Sequence, residues 1–210
     1  MTDWATIAQL ATAAGTLVLA VATFASVRSG NRAARVAELS LMSRLRPLLL
    51  PSRIQDPEEK VGFQDDHWVR VPGGQAHAEA TEDAIYLVLP LRNMGEGLAV
   101  LNAWAWRPGR MTGTVDRPDP ADFRRLTRDL YIAPHDLGFW QGAFRDPTEP
   151  VFTDVTKTII GRQAFTIDLL YGDGEGGQRM ISRFMVTPVR DDAWLAAVSH
   201  HWNLDRADPR

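Results

Sequence analysis

The most constraining feature of this sequence is a run of 24 residues, from Trp4 to Val27, without a single charged side chain. Charged residues make up 23% of the chain, so this run differs sharply from its surroundings. As an α-helix it would extend about 36 Å, whereas the hydrocarbon core of a bilayer is about 30 Å thick. We therefore predict a transmembrane helix within residues 1–27, with Leu17, Leu19 and Phe24 among the side chains that anchor it in lipid.

Two other interpretations of the run are a buried helix of a soluble protein and a cleavable signal peptide. A buried helix usually carries charges on one face, and this run has none. A signal peptide would begin with a positively charged region and could be cut near residues 20–22. Here the positive charges of Arg28, Arg32 and Arg35 follow the apolar run instead. Their placement favours a retained membrane anchor.

The same arginines predict an orientation. Five arginines and one acid, Glu38, lie between Arg28 and Arg46. Because positively charged flanks stay in the cytoplasm, we expect a single-pass protein of the cell inner (plasma) membrane, with the N-terminus outside and the C-terminal domain cytoplasmic. Trp4 then lies at the outer membrane surface, where interfacial aromatic residues are common.

Residues 28–46 keep a helical period, with apolar residues at positions 36, 39, 42 and 45. We predict an Arg-rich amphipathic stalk helix that continues the membrane helix and ends before Pro47. Its apolar stripe could lie on an anionic membrane surface, pair with a second copy, or pack on the chain's own C-terminal domain. Within the membrane, Ala11 and Gly15 form a small-xxx-small pair that could be a helix–helix interface.

Residues 47–205 alternate apolar with polar positions, and Gly or Pro interrupts them about every ten residues. This pattern predicts a mainly β fold, an antiparallel immunoglobulin-like β-sandwich, followed by a short tail at residues 206–210. The clearest strand is Ala84–Asn93, with Leu98–Arg107 as its expected hairpin partner. Further strands are predicted at Leu48–Ile54, Trp68–Val71, Leu137–Phe144, Val155–Ile160, Phe165–Tyr171 and Met180–Val186, the last two joined as a second hairpin.

One short helical insertion is expected within this domain. Asp119 can cap a helix and Pro120 suits its first turn, after which an apolar stripe continues at helical spacing to Leu130. The last segment, Ala193–Asn203, is compatible with a closing helix or a final strand.

Four stretches carry a resemblance to a known group of proteins: ATFASVRSGNRAARVAE, the Arg46-Pro47 break, the turn LRNMGEGLA and the hairpin YGDGEGGQR. Together they resemble uncharacterised bacterial membrane proteins of the actinobacterial type. In that group one N-terminal transmembrane helix precedes a stalk and an immunoglobulin-like β domain. The resemblance implies this architecture for nearly the whole chain, and it implies no activity.

Few residues suggest chemistry. The chain has no cysteine, which excludes disulfides, thiolate metal sites and cysteine nucleophiles. None of the five histidines has a ligand spacing such as His-Glu-x-x-His. The loop from Asp65 to His67 could contribute to a metal site, but such loops are usually solvated, and His200 and His201 are expected to pack against Trp202. We therefore predict no catalytic, cofactor-binding or metal-binding residues and no cofactor.

The first functional hypothesis is a membrane-tethered, non-catalytic protein-interaction domain at the cytoplasmic face of the membrane. Its expected partners are the lipid bilayer and a second protein or a second copy of itself, without nucleic acid, since the net charge is −3. One alternative is an accessory structural subunit of a larger membrane complex, held through the transmembrane helix. Another is a hydrolase or metal-dependent enzyme whose site is assembled from dispersed groups, which would require His67, His135 and an acid to converge.

Overall fold

The computed structural model describes residues 3–111, 116–189 and 193–205, which form two compact units divided after Arg44. The first unit is a single helix, and the second is a β domain. The tail predicted at residues 206–210 lies outside the described residues. In chain order the elements are α1 (Trp4–Arg44), β1 (Leu49–Pro51), β2 (Glu59–Gly62), β3 (Trp68–Val71), β4 (His77–Ala80), β5 (Ile85–Asn93), β6 (Ala99–Pro108), a 3-10 turn (Pro120–Asp122), β7 (Arg124–Ile132), β8 (Leu137–Phe144), α2 (Pro150–Ile160), β9 (Phe165–Gly172), β10 (Met180–Pro188) and β11 (Trp194–Asn203).

Helix α1 runs without interruption through the predicted membrane segment and stalk. It ends three residues before Pro47, consistent with the prediction that this proline closes the helix. Of the stalk's apolar stripe, Val36 and Leu45 are exposed to solvent. The side chains of Leu39 and Met42 lie outside the part of the chain that the structure describes.

The β domain consists of two main antiparallel sheets and a small hairpin. In the first sheet, β5 pairs with β1 and β4 along one side and with β8 along the other. The second sheet has the strand order β11-β10-β9-β6-β7. This arrangement confirms the mainly β, antiparallel fold class, while the finer assignment to the immunoglobulin-like kind stays a prediction.

The principal hydrophobic core contains apolar rows from both main sheets. Trp104 of β6 and Trp140 of β8 meet edge to face, with ring centroids 5.1 Å apart, and Trp140 is fully buried. Such an aromatic contact adds to the burial of two large side chains. The rows predicted from alternation are confirmed here: Ile85, Leu87, Leu89 and Leu91 on β5, and Phe165, Ile167, Leu169 and Tyr171 on β9.

The small hairpin of β2 and β3 covers the outer face of β5. Its side chains form a second hydrophobic cluster with that face, made of Val61, Phe63, Val69, Val71, Ala84, Tyr86 and Val88. Strand β5 is therefore buried on both faces. The same arrangement brings the loop between β2 and β3 close to β4, the neighbour of β5.

The predicted turn after β5 is held by one side chain. The carboxamide of Asn93 accepts from the backbone N–H groups of Leu48 and Gly95, and donates to the carbonyl oxygens of Gly97 and Ile132. A Cβ atom at Gly97 would collide with the backbone of the segment that enters β1. Glycine is required there because two stretches of backbone approach too closely for a side chain.

The predicted hairpin between the strands Ala84–Asn93 and Leu98–Arg107 is wrong. Strand β6 does not pair with β5 but lies between β9 and β7 in the other sheet. A register shift between Leu101 and Ala103 also changes which residues share a face, so that Leu101 and Trp104 both reach the core. Simple alternation places Trp104 on the same face as Val100, because it does not count the extra residue that a bulge adds.

The predicted helical insertion is also wrong beyond its first turn. Asp119 does cap a 3-10 turn at Pro120–Asp122, but the following residues form strand β7. Leu126 and Leu130 are four residues apart, a spacing that places them on one face of a helix or of a strand. Pairing with β6 selects the strand.

Helix α2 replaces the strand predicted at Val155–Ile160. Pro150 occupies its first turn, where the missing N–H costs nothing. Phe152, Val155 and Ile159 then form a helical stripe that packs into the principal core. The β-branched residues in this segment favoured a strand by propensity alone, and tertiary packing overrides that preference.

Most other strand predictions are confirmed. Strands Trp68–Val71 and Leu137–Phe144 have the predicted bounds, and β9 and β10 form the predicted second hairpin. For the C-terminal segment the sequence allowed a helix or a strand. The structure shows the strand, which pairs with β10. The short strands β2 and β4 were not predicted.

Candidate functional site

The first candidate site is the apolar surface of α1. The segment Ile7–Glu38 is long and apolar enough to cross a membrane, and none of its most apolar window is buried. Leu17, Leu19 and Phe24 are 67%, 69% and 67% exposed. Contact of so much apolar surface with water is unfavourable, so this surface is suited to lipid or to another apolar partner.

Two threonine side chains of this helix form hydrogen bonds within the helix. The Thr12 hydroxyl donates to the carbonyl oxygen of Ala8, and the Thr16 hydroxyl donates to that of Thr12, both at 2.9 Å. Such bonds let threonine reside in an apolar environment. Ala11 and Gly15 lie one helical turn apart and are exposed on one face of α1, and their role as a helix–helix interface stays a prediction.

Cationic residues follow the uncharged run that ends at Val27. Arg28, Arg32 and Arg35 are exposed and lie within two helical turns on one side of α1. At the other end, Trp4 is the first residue of the helix and is 78% exposed. Both placements match those of residues that contact lipid headgroups.

The second candidate site joins His67, His77 and Glu79. His67 lies in the loop before β3, while His77 and Glu79 occupy alternate positions of β4 and so share one face of the sheet. The Glu79 Oε2 atom lies 3.0 Å from Nε2 of His67 and 3.1 Å from Nε2 of His77. One ligand atom from each of the three side chains therefore lies within 4.8 Å of the other two.

Tyr86 of strand β5 contacts the loop that carries His67. The His67 ring stacks on the Tyr86 ring, with centroids 4.0 Å apart and an interplanar angle of 17°. The Tyr86 hydroxyl donates to Asp65 Oδ2 at 2.6 Å, and Nε of Arg145 lies 3.4 Å from the same oxygen. The hairpin loop that carries His67 is thus fixed to β5 and to the end of β8.

These contacts shift the pKa values of three groups. Burial lowers the pKa of His77, although its hydrogen bond with Glu79 acts in the opposite direction. The hydrogen bond to Asp65 raises the pKa of Tyr86 to about 12. Burial acts to raise the pKa of Asp65, but hydrogen bonds from Tyr86, the backbone and Arg145 together lower it. A neutral His77 and an ionised Asp65 are therefore favoured at neutral pH.

The other histidines lie elsewhere. His135 contacts Glu96 at 3.3 Å on the surface, so it does not converge with His67. The His200 ring packs on Trp202 with centroids 4.3 Å apart, which confirms the predicted packing for this residue.

A serine–histidine pair lies inside the β domain. Ser182 Oγ is 2.6 Å from Nδ1 of His201 and 2.8 Å from the hydroxyl of Tyr171, which also accepts from the backbone N–H of Leu49 at 3.3 Å. Ser182 is fully buried, so no substrate can reach its oxygen in this conformation. The chain of hydrogen bonds instead joins β1 to β9, β10 and β11.

A buried ion pair also belongs to the scaffold. The Arg183 guanidinium donates to both carboxylate oxygens of Asp168, at 2.6 and 2.7 Å, and both side chains are at most 2% exposed. Arg107 lies 3.4 Å from the same carboxylate, and the Trp202 ring lies 4.9 Å from the Arg183 guanidinium. These contacts hold β9, β10, β6 and β11 together.

Comparison with known proteins adds no assignment. No protein-family model matches this chain, and a search of curated proteins finds no match. The resemblance to bacterial membrane proteins with a stalk and a β domain therefore stays a prediction.

Sequence analysis noted that the loop from Asp65 to His67 could contribute to a metal site, but it predicted no metal-binding residues and did not connect His67 with His77 and Glu79. The available signal was the His77-x-Glu79 pattern, because residues two apart share a face when the segment is a strand. Strand β4 is short and its other residues are alanines, so the segment gave no strand pattern. The approach of His67 depends on the hairpin that folds over β5, a contact that single-sequence periodicity does not contain.

Proposed function

We propose that this chain is a single-pass membrane protein in which α1 spans the bilayer and tethers the β domain at the cytoplasmic face, where that domain binds another protein. The observation that carries the proposal is the exposed apolar surface of Ile7–Glu38. Burying a leucine or phenylalanine side chain stabilises by about 1.5–3 kcal/mol. Several such side chains on one helix make lipid a far better environment than water.

The charges support the proposed orientation. Arg28, Arg32 and Arg35 follow the uncharged run Trp4–Val27, and the ionisable side chain that precedes this run is that of Asp3. The positive-inside rule then keeps the arginine flank and the β domain in the cytoplasm. Trp4 would lie at the opposite membrane surface.

The proposed binding surface is the outer edge of β11. This strand has ten residues without a charged side chain, and it pairs with β10 along one side. Along its other side, the described residues form one isolated bridge, between Ala76 and Trp194, and near the end of the strand Arg117 donates a hydrogen bond to the Asn203 carbonyl oxygen. Long uncharged edge strands are rare on proteins that do not bind partners through them, because such edges pair with extended segments of other chains.

The orientation is tested by cysteine labelling. The chain has no native cysteine, so single substitutions are uniquely labelled. In intact cells, a membrane-impermeant maleimide should label Asp3→Cys, whereas Glu175→Cys, in the exposed turn before β10, should react only after lysis. Labelling of Glu175→Cys in intact cells would contradict the cytoplasmic placement.

The binding surface is tested by cross-linking full-length protein in native membranes. Ala197→Lys places a charge at an exposed position of β11, and Ala121→Lys adds the same charge at the exposed 3-10 turn as a matched control. We expect the β11 variant to reduce the yield of cross-linked partner at least about fivefold and the control to leave it unchanged. Equal yields in all three proteins would contradict the role of the edge.

One alternative has an observation of its own. The Ala11 and Gly15 face would let another membrane helix approach closely, as in a subunit held through its transmembrane segment. If that alternative holds, Gly15→Leu reduces cross-linking and Ala197→Lys does not. The two variants therefore separate an edge-binding domain from an accessory membrane subunit.

A further inference from the structure

We infer that His67, His77 and Glu79 bind one divalent transition-metal ion, and that Zn²⁺ is the ion that this set of ligands suits best. The set offers two imidazole nitrogens and one carboxylate oxygen. Zinc sites with three protein ligands use such a combination and leave a fourth position for water or another ligand. This inference is independent of the proposed membrane function.

The distances fit a shared ion. Zinc lies about 2.0–2.2 Å from nitrogen and oxygen ligands, so the ligand atoms of a tetrahedral site are about 3.3 Å apart. Here Glu79 Oε2 lies 3.0 Å from His67 Nε2 and 3.1 Å from His77 Nε2. The three ligand atoms all lie within 4.8 Å of one another, so we expect small side-chain rotations to bring them to the spacing of a shared ion.

The backbone presents these side chains before any ion binds. His77 and Glu79 are fixed by regular pairing of β4 with β5, opposite Val88 and Tyr86. The loop of His67 is closed by a hydrogen bond from the Phe63 N–H to the His67 carbonyl oxygen at 2.8 Å. A preorganised site loses little conformational freedom when it binds its ligand.

The cluster is accessible from solvent. The side chains of His67, His77 and Glu79 are 30%, 26% and 38% exposed, so an ion can enter and a water molecule can fill its remaining position. The ligands come from the β2–β3 hairpin and from β4, which belong to different sheets. A bound ion would therefore cross-link the hairpin to the main sheet.

Without an ion, the same geometry can be explained by hydrogen bonds from both imidazoles to the same carboxylate oxygen of Glu79. The structure contains a comparison for that case, since His135 contacts Glu96 at 3.3 Å and no third histidine or acidic ligand joins them among the residues that the structure describes. Substitution of His135 thus provides a matched control for the loss of a surface histidine next to a glutamate.

The test is calorimetric titration of metal-free full-length protein in detergent with ZnCl₂. We expect one ion per chain, and a Tm that rises with zinc concentration because the ion binds the folded state. His77→Gln and Glu79→Gln should each weaken zinc binding at least about tenfold, since even the loss of supporting groups costs this much. His135→Gln should bind zinc as tightly as the unsubstituted protein.

Two results would overturn the inference: no saturable zinc binding by the unsubstituted protein, or equal affinity in the His77→Gln and His135→Gln variants. Should the cluster variants fail to fold, Co²⁺ added to the unsubstituted protein decides the question. The visible absorption bands of tetrahedral Co²⁺ support the site. The spectrum of hydrated Co²⁺ alone contradicts it.

Discussion

Helix α1 and the β domain both contain many large apolar side chains but treat them in opposite ways. Leu17 and Leu19 of α1 are 67% and 69% exposed, whereas Leu87 and Leu89 of β5 are 1% and 2% exposed. The β domain therefore supplies its own apolar environment, and α1 requires one from outside. We expect substitutions in the two regions to affect different properties, folding stability in one and membrane insertion in the other.

The largest effect is expected from Asp168→Ala in the β domain. This substitution leaves the Arg183 guanidinium buried without its carboxylate, and breaking a buried pair costs about 3–5 kcal/mol. Chemical denaturation of full-length protein in detergent, followed by tryptophan fluorescence, measures the free energy of unfolding. Membrane association should be unchanged.

The matched control for that variant is Glu58→Gln, which breaks the exposed Arg70–Glu58 pair. Surface pairs contribute about 0–1 kcal/mol, so little change is expected. If both variants lose the same stability, the buried pair has no special role in the β domain.

The sequence predicted the parts of the fold that depend on local pattern. The uncharged run predicted α1, and alternation predicted the buried rows of β5 and β9. It failed where a distant contact decides the outcome, as in β7, where pairing with β6 overrides a helical spacing. In α2 the error is the opposite one: a strand was predicted and a helix forms. Its Phe152, Val155 and Ile159 side chains stabilise the helix by packing into the principal core.

The second-largest effect is expected on the membrane insertion of α1. Leu19→Arg places a charge near the middle of the apolar segment, which costs about 2.5–3.5 kcal/mol of insertion free energy. The fraction of protein recovered in membranes should fall, while the denaturation curve of the β domain stays the same. Asn31→Arg, beyond the uncharged run that ends at Val27, is the control and should insert normally.

A smaller loss of stability is expected from Tyr171→Phe. The buried hydroxyl accepts from the Leu49 N–H and contacts Ser182 Oγ, and unsatisfied buried polar groups cost about 1–3 kcal/mol. Denaturation of full-length protein again measures the change. Tyr131→Phe, at a residue that is 63% exposed, should change stability by less than about 0.5 kcal/mol.

The smallest effect is a pH dependence of stability. Burial holds the pKa of His201 below its ordinary value, and the neighbouring His200 lowers it further. As the pH falls below about 6.5, the unfolded chain accepts a proton that the folded protein resists, so the free energy of unfolding decreases. The decrease continues until the pH passes below the folded-state pKa.

We therefore expect stability to fall between pH 7 and pH 5, and to fall less in His201→Asn. Unfolding curves at several pH values measure this. Some dependence should remain in the variant, because burial also lowers the pKa of His77. An identical pH profile for the two proteins would show that His201 is not responsible.

The two candidate sites differ in how far the sequence alone could predict them. The exposure of the apolar side chains of α1 was predictable, because it follows from the composition of that helix alone. The cluster of His67, His77 and Glu79 was not, because it forms only when the β2–β3 hairpin folds over β5. Local patterns reveal sites on one element, whereas sites shared by several elements require the fold.

The central claim is that lipid surrounds α1, and alkaline carbonate extraction of membranes from cells that produce the full-length protein tests it most directly. Carbonate releases proteins that are bound only to the membrane surface and retains those that span the bilayer. We predict that the protein stays in the membrane pellet. Release of most of it into the supernatant would contradict the account.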